Sequence, residues 1–281
     1  MKKIVYLFIV ISSVISMSCS SEDISNEPNV VTAVSNSMSD EDVTYLISYI
    51  NETAVQYHSY IVNDDSRGLR SFFKWLVQVI YLDACGYSWG LENGLGLRAS
   101  LIPAVACSAF GAVQMTKEEN MTFLDWTLNA KWNVFPSNLD FQKIGYDHNK
   151  AIYDMYRNNP NLFNLSGSSI LTQSISTLKN MGYTSSLSQM QYNILILSIQ
   201  QSYDFFVSGV ESSLANTPYS SFLPIVKSYA DNVVNITDSS EIVSYTNSIF
   251  SQIDSMGILK AKELKAAISV CANSRMLWKE R

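Results

Sequence analysis

Residues 141–155 read FQKIGYDHNKAIYDM, and in them Phe141, Ile144, His148, Ile152 and Met155 recur at steps of three and four. That spacing puts all five on one face of an α-helix, predicted over Asn138 to Asn158 and stopped by Asn159-Pro160. The same period recurs on both sides. Val43, Leu46, Ile47, Ile50, Ala54, Tyr57 and Ile61 follow a Ser39-Asp-Glu-Asp42 cap, and Asn63 to Gly68 ends that helix. Further helices are predicted over Leu69 to Leu82, over Thr116 to Ala130 with Thr116 as cap, and over Gly167 to Met181 before Gly182. Ser188-Gln-Met-Gln191 reads as a capping box opening the longest helix, whose wide apolar face from Tyr192 to Leu214 predicts a central position. Ser221 to Val234, the Asp238-capped run through Met256, and Leu259 to Lys279 complete the set, with Gly257 as a break. Strand alternation and hairpin turn signals are not evident. The fold class expected is therefore all-α, a multi-helix bundle of mostly antiparallel helices, with a soft boundary near 158–166.

One segment departs from this regularity. Gly86, Gly90 and Gly94 recur every four residues, and Ala99, Ala104, Ala106, Ala109, Gly111 and Ala112 continue the small-residue theme. Small side chains let helix backbones approach closely. Three readings of residues 83–115 stay open: a tightly packed buried hairpin, a loop with a glycine-rich turn at Gly94 to Gly96, and a membrane-active segment. Arg98, Glu92 and Pro103 weigh against insertion. Cys85 and Cys107 flank the turn, so a bridge and two free thiols are both open. Cys271 shares the face of Leu264 and Ile268 and is expected to be a buried free thiol.

Familiar catalytic motifs (GxSxG, P-loop, HExxH, EF-hand) are missing from the sequence, and its four cysteines lack the spacing of a zinc site. No metal or cofactor is implied. Only His58 and His148 could serve a histidine mechanism. His58 sits on the rim of the first apolar face. His148 lies on the core face of its stripe, where a neutral ring, a pKa below the free value and loss of stability on acidification are expected. Asp140, Asp147 and Asp154 form a neighbouring stripe one turn from Lys143, Lys150 and Arg157, which predicts an ion-paired, solvated face. A hydrolase would use His148 as base with Asp147 or Asn149 orienting it.

The N-terminus supplies an address. Lys2 and Lys3 precede an apolar run from Ile4 to Ile15, and Ser16 and Ser18 lead to Cys19. The run is that of a secretory signal, too short for a stable span. Its end resembles a bacterial lipobox, with Ser16 where Leu is usual. The resemblance implies a signal peptide over 1–18, acylation of Cys19 and a membrane anchor. Ser20-Ser-Glu-Asp23 resembles the Ser-plus-acid tract of surface-exported Bacteroidota-type lipoproteins, and residues 19–39 read as a disordered tether to a globular domain over 40–281. The Gly145-x-x-His148-Asn149 helix, after its small-residue segment, is similar to a set of such lipoproteins whose function is unknown. That likeness implies no activity. A net charge of −6 argues against nucleic acid as a partner, which wants a basic stripe.

The expectation is thus a lipid-anchored outer-membrane protein, cell-surface exposed or periplasm-facing. It acts as a binding or structural module for an unknown protein or small-molecule ligand. A hydrolase is the rival, and a toxin-like or immunity-type protein using the glycine-rich hairpin is the weaker one.

Overall fold

Local capping chemistry sets several of the helix starts. Ser39 Oγ accepts the Asp42 N–H at 3.1 Å and opens α1 (Asp40–Ala54), which buries Leu46, Ile50 and Ala54. The chain is known from a computed structural model that describes residues 38–57, 67–122, 125–131, 140–183, 187–200 and 202–280. Cys19, the tether as far as residue 37 and His58 lie outside the described residues, as does the side chain of Asp140. Ser37–Arg281 make up one unit.

The second helix is longer than its sequence pattern suggested. It runs as α2 (Arg67–Glu92), so Arg67 and Gly68 begin a helix rather than end one. A short α3 (Gly96–Ala99) then leads into α4 (Leu101–Glu118), which has Pro103 in its first turn, where a missing N–H costs nothing. Gly94 and Gly96 adopt φ of 73° and 70° in the turn between α2 and α3, a conformation glycine reaches without strain.

The buried-hairpin reading fits best. A Cβ at Gly86 would stand 2.8 Å from the Pro103 carbonyl oxygen, and one at Gly90 would stand 2.7 Å from Ser100 Cα. The stretch Gly96–Glu118 is long and apolar enough to cross a membrane, but 78% of its apolar window is buried inside the protein. Cys85, Cys107 and Cys271 are all buried free thiols, so no bridge joins the first two.

The helix expected from Thr116 to Ala130 is not formed. Thr116 belongs to the last turn of α4, and its hydroxyl donates to the Ala112 carbonyl at 2.6 Å. It also accepts the indole N–H groups of Trp75 (3.2 Å) and Trp126 (2.8 Å). Trp126 opens a short strand, β1 (Trp126–Leu128), which pairs antiparallel with β2 (Trp278–Glu280). The last helix therefore stops at Leu277. The pair closes an aromatic cluster: Trp126 and Trp278 lie 5.2 Å apart, and each packs on Trp75 and Phe163.

Downstream come α5 (Asp140–Asn158), a 3-10 turn at Leu162–Asn164, and α6 (Gly167–Asn180), capped by Ser166. The capping box is formed: Ser188 Oγ accepts from Gln191 N at 3.2 Å, and Gln191 Oε1 accepts from Ser188 N at 2.9 Å. It opens α7 (Gln189–Ile199), but the long helix breaks before α8 (Tyr203–Leu214). Ser202 adopts an extended backbone and caps Phe205, restarting the helix. This pair is not central, since Met190 and Leu197 are about half exposed. The centre belongs to α2 and to α11 (Ala261–Leu277), which pack on each other and on α9 (Phe222–Val233), while α2 also packs on α4 and α11 on α5. Between α9 and α11 in the chain lies α10 (Ser239–Met256), with Asp238 as N-cap and Gly257 as left-handed C-cap. Together with the two short strands, these elements form an all-α multi-helix bundle.

Candidate functional site

Gly145 decides how the sequence candidates are arranged. A Cβ there would overlap the Ser269 carbonyl oxygen and the Asn273 amide, so α5 and α11 cross in near backbone contact. One turn on, the Asn149 amide N–H donates to the Asn273 carbonyl at 2.7 Å, bonding the two helices. His148 is fully buried, with Nδ1 at 3.2 Å from Asn149 Oδ1 and Nε2 at 3.6 Å from Asp83 Oδ2. Asp83 comes from α2 and is also fully buried; Ser274 of α11 donates to its Oδ2 at 2.5 Å. Four helices thus meet around a small polar core, with Ser108 of α4 facing the same carboxyl.

Burial sets the charge states there. It lowers the His148 pKa to about 4, outweighing the Asn149 oxygen and the Ala104 carbonyl, which favour the charged ring. The same burial pushes the Asp83 carboxyl well above the ordinary carboxylate range, against the Ser274 and Ser108 hydroxyls. Burial thus favours the neutral form of both side chains. A ring with no exposed surface cannot reach a substrate, whatever its pKa.

Asp147 faces elsewhere. Adjacent helix positions point about 100° apart, so Asp147 turns to the groove between α5 and α6 while His148 turns inward. Lys143 binds Asp147 at 2.7 Å, and the buried Tyr183 hydroxyl donates to its Oδ2. Burial, then Asp147, raises the Tyr183 phenol above its ordinary range, so it stays a donor. One turn further, Lys150 binds Asp154 at 2.5 Å. The ion-paired face expected from the Asp and Lys spacing is thus present for these two pairs, although Asp147 is buried rather than solvated.

The groove encloses about 380 Å³ and is also lined by Tyr146, Thr177 and Asn180. Its two lysines and two aspartates cancel in charge. None of its lining residues is a histidine, cysteine or serine. Among the described residues no group of three or more His, Cys, Asp or Glu side chains could hold a metal ion.

His148, Asp147 and Asn149 are therefore adjacent in sequence but divided between core and groove. Asp83, Tyr183 and Ser274 were missed by sequence reasoning. The signal for Asp83 was available: a lone acid inside the apolar run Ile80-Tyr-Leu-Asp-Ala-Cys85 requires a buried partner. Comparison with protein-family models, curated proteins and solved structures finds no match to this chain.

Proposed function

We propose that this chain is a lipid-anchored cell-envelope protein that acts as a binding module, with the groove between α5 and α6 as its binding face. The groove carries the reading. It joins donors and acceptors already fixed in place, Lys143 with Asp147 and Lys150 with Asp154, to a cavity of about 380 Å³. Fixed, charge-balanced groups suit a small polar ligand that is uncharged or zwitterionic, because a net charge would meet no compensating excess. The Lys2–Cys19 segment supports the anchor, in the outer membrane and facing the surface or the periplasm. The hydrolase reading has less support, because the His148 ring is sealed. The toxin-like reading has less support because the hairpin is spent on the core.

Labelled palmitate is expected to enter the wild type and not Cys19→Ala; equal labelling of both would remove the anchor. The groove is tested separately by melting the soluble 40–281 portion with neutral sugars, free amino acids and inorganic phosphate. A rise with a sugar or amino acid in the wild type, lost in Asp154→Ala, supports binding. If none of the probes acts, the module is structural.

A further inference from the structure

The polar core around His148 has an incomplete hydrogen-bond account. His148 Nε2 and Asp83 Oδ1 each have no measurable accessible surface and no hydrogen-bond partner among the described residues. Such orphans are costly and call for a reason. Asn149 turns its N–H toward Asn273, so its oxygen faces Nδ1, and Nδ1 must carry the ring proton. Nε2 is then a bare lone pair, and what it faces is the Asp83 carboxyl at 3.6 Å.

We propose that Asp83 and His148 form a sealed two-group site that holds one proton between them throughout the neutral pH range, making folding itself pH-sensitive. A proton on Asp83 Oδ2 points at the Nε2 lone pair across 3.6 Å and leaves both groups without net charge, while the Ser108 hydroxyl faces the same carboxyl. Moving that proton to Nε2 gives the ion pair, with the same proton count.

The groups facing the pair are few. From α2 there is Cys85; from α4, Ser108, Cys107 and the Ala104 carbonyl; from α5, Asn149; from α11, Ser274, Asn273 and Cys271. Burial pushes the thiols up from a free value of 9.0, so below about pH 8 they stay protonated whether folded or unfolded. Lys143 and Asp147 are engaged at the groove.

His148 has a folded pKa below its free value of 6.5, so alone it would lose stability as pH falls from 6.5 toward 4. Asp83 has a folded pKa above its free value of 3.8, so alone it loses stability as pH rises from 3.8. Between about pH 4 and 6.5 the folded pair holds one proton and so does the unfolded chain, on His148, and the two effects cancel. Above 6.5 the unfolded chain releases that proton and the folded pair keeps it. Stability then falls about tenfold in the folding constant per pH unit. Acid sensitivity expected for His148 alone is thereby replaced by sensitivity to alkali.

Urea titrations of the wild type, Asp83→Asn and His148→Gln from pH 5 to 8 test this. The wild-type folding constant should fall about tenfold per pH unit relative to Asp83→Asn across the whole range. Relative to His148→Gln it should rise up to about pH 6.5 and then level. If a variant does not fold, calorimetry of the wild type at pH 7.5 in buffers of different ionisation enthalpy decides, with release of about one proton on unfolding expected. A pH-independent ratio to Asp83→Asn, or no proton released, overturns the proposal.

Discussion

Gly145→Ala is expected to cost about 3 kcal/mol or more, the upper range for overpacking a close-packed interior. For a chain of this size that lowers the melting temperature by roughly 10 °C. The added methyl lands on the Ser269 carbonyl oxygen and the Asn273 amide, and Ser269 Oγ is only 2.5 Å away. Backbone cannot yield as a flexible side chain can, so α5 and α11 must separate. Separation also stretches the Asn149–Asn273 bond and loosens the packing over Asp83 and His148. Alanine gains about 1 kcal/mol of helix propensity over glycine, too little to offset the clash. Gly94→Ala is the control: nothing lies within 4 Å of a Cβ there, and only the positive φ of 73° is strained. Its cost should be on the order of 1–2 kcal/mol. A thermal melt of both variants checks the order, and an undiminished melting temperature for Gly145→Ala contradicts the crossing.

Trp278→Ala is expected to cost about 4 kcal/mol, as for other buried tryptophans cut to alanine. Trp278 is 1% exposed and packs edge-on to Trp75 at 5.4 Å and Trp126 at 5.2 Å. It also opens β2, opposite Leu128. Losing it empties the cluster that joins the end of the chain to α2 and β1. Trp278→Phe keeps an aromatic plate and should cost roughly half as much. Urea midpoints give the energies, and the near-ultraviolet dichroism of the tryptophan cluster should weaken with them. A loss under about 1 kcal/mol for Trp278→Ala would mean that the cluster contributes little.

Why some elements were legible follows from the range of the forces involved. Ser39, Asp238, the Ser188–Gln191 box and Gly257 act over two to four positions, so a short window of sequence contains the whole interaction. The His148 stripe was legible for the same reason, and the structure buries Ile144, His148, Ile152 and Met155 together. Ser202 shows where periodicity fails: the apolar period passes through it unbroken, yet its hydroxyl caps a new helix. Trp126 and Trp278 were hidden because their pairing joins distant segments, and the helix pattern around Thr116 competed with it.

The groove was half legible. The i,i+4 pairs of Lys143 with Asp147 and of Lys150 with Asp154 are local. Tyr183, which completes the Asp147 site, arrives from beyond α6 and leaves no mark near residue 147. Asp83 likewise reaches His148 only through the crossing of four helices.

The central claim is that His148 is part of the sealed core and not of a reaction centre. Nitrogen and proton NMR of the His148 ring, followed from pH 5.5 to 8, tests it most directly. A neutral ring protonated at Nδ1, with no titration in that range and slow exchange of its N–H with water, is predicted by a pKa near 4 and complete burial. A ring that titrates at or above 6.5 and exchanges rapidly with solvent would contradict the account and return His148 to the hydrolase reading.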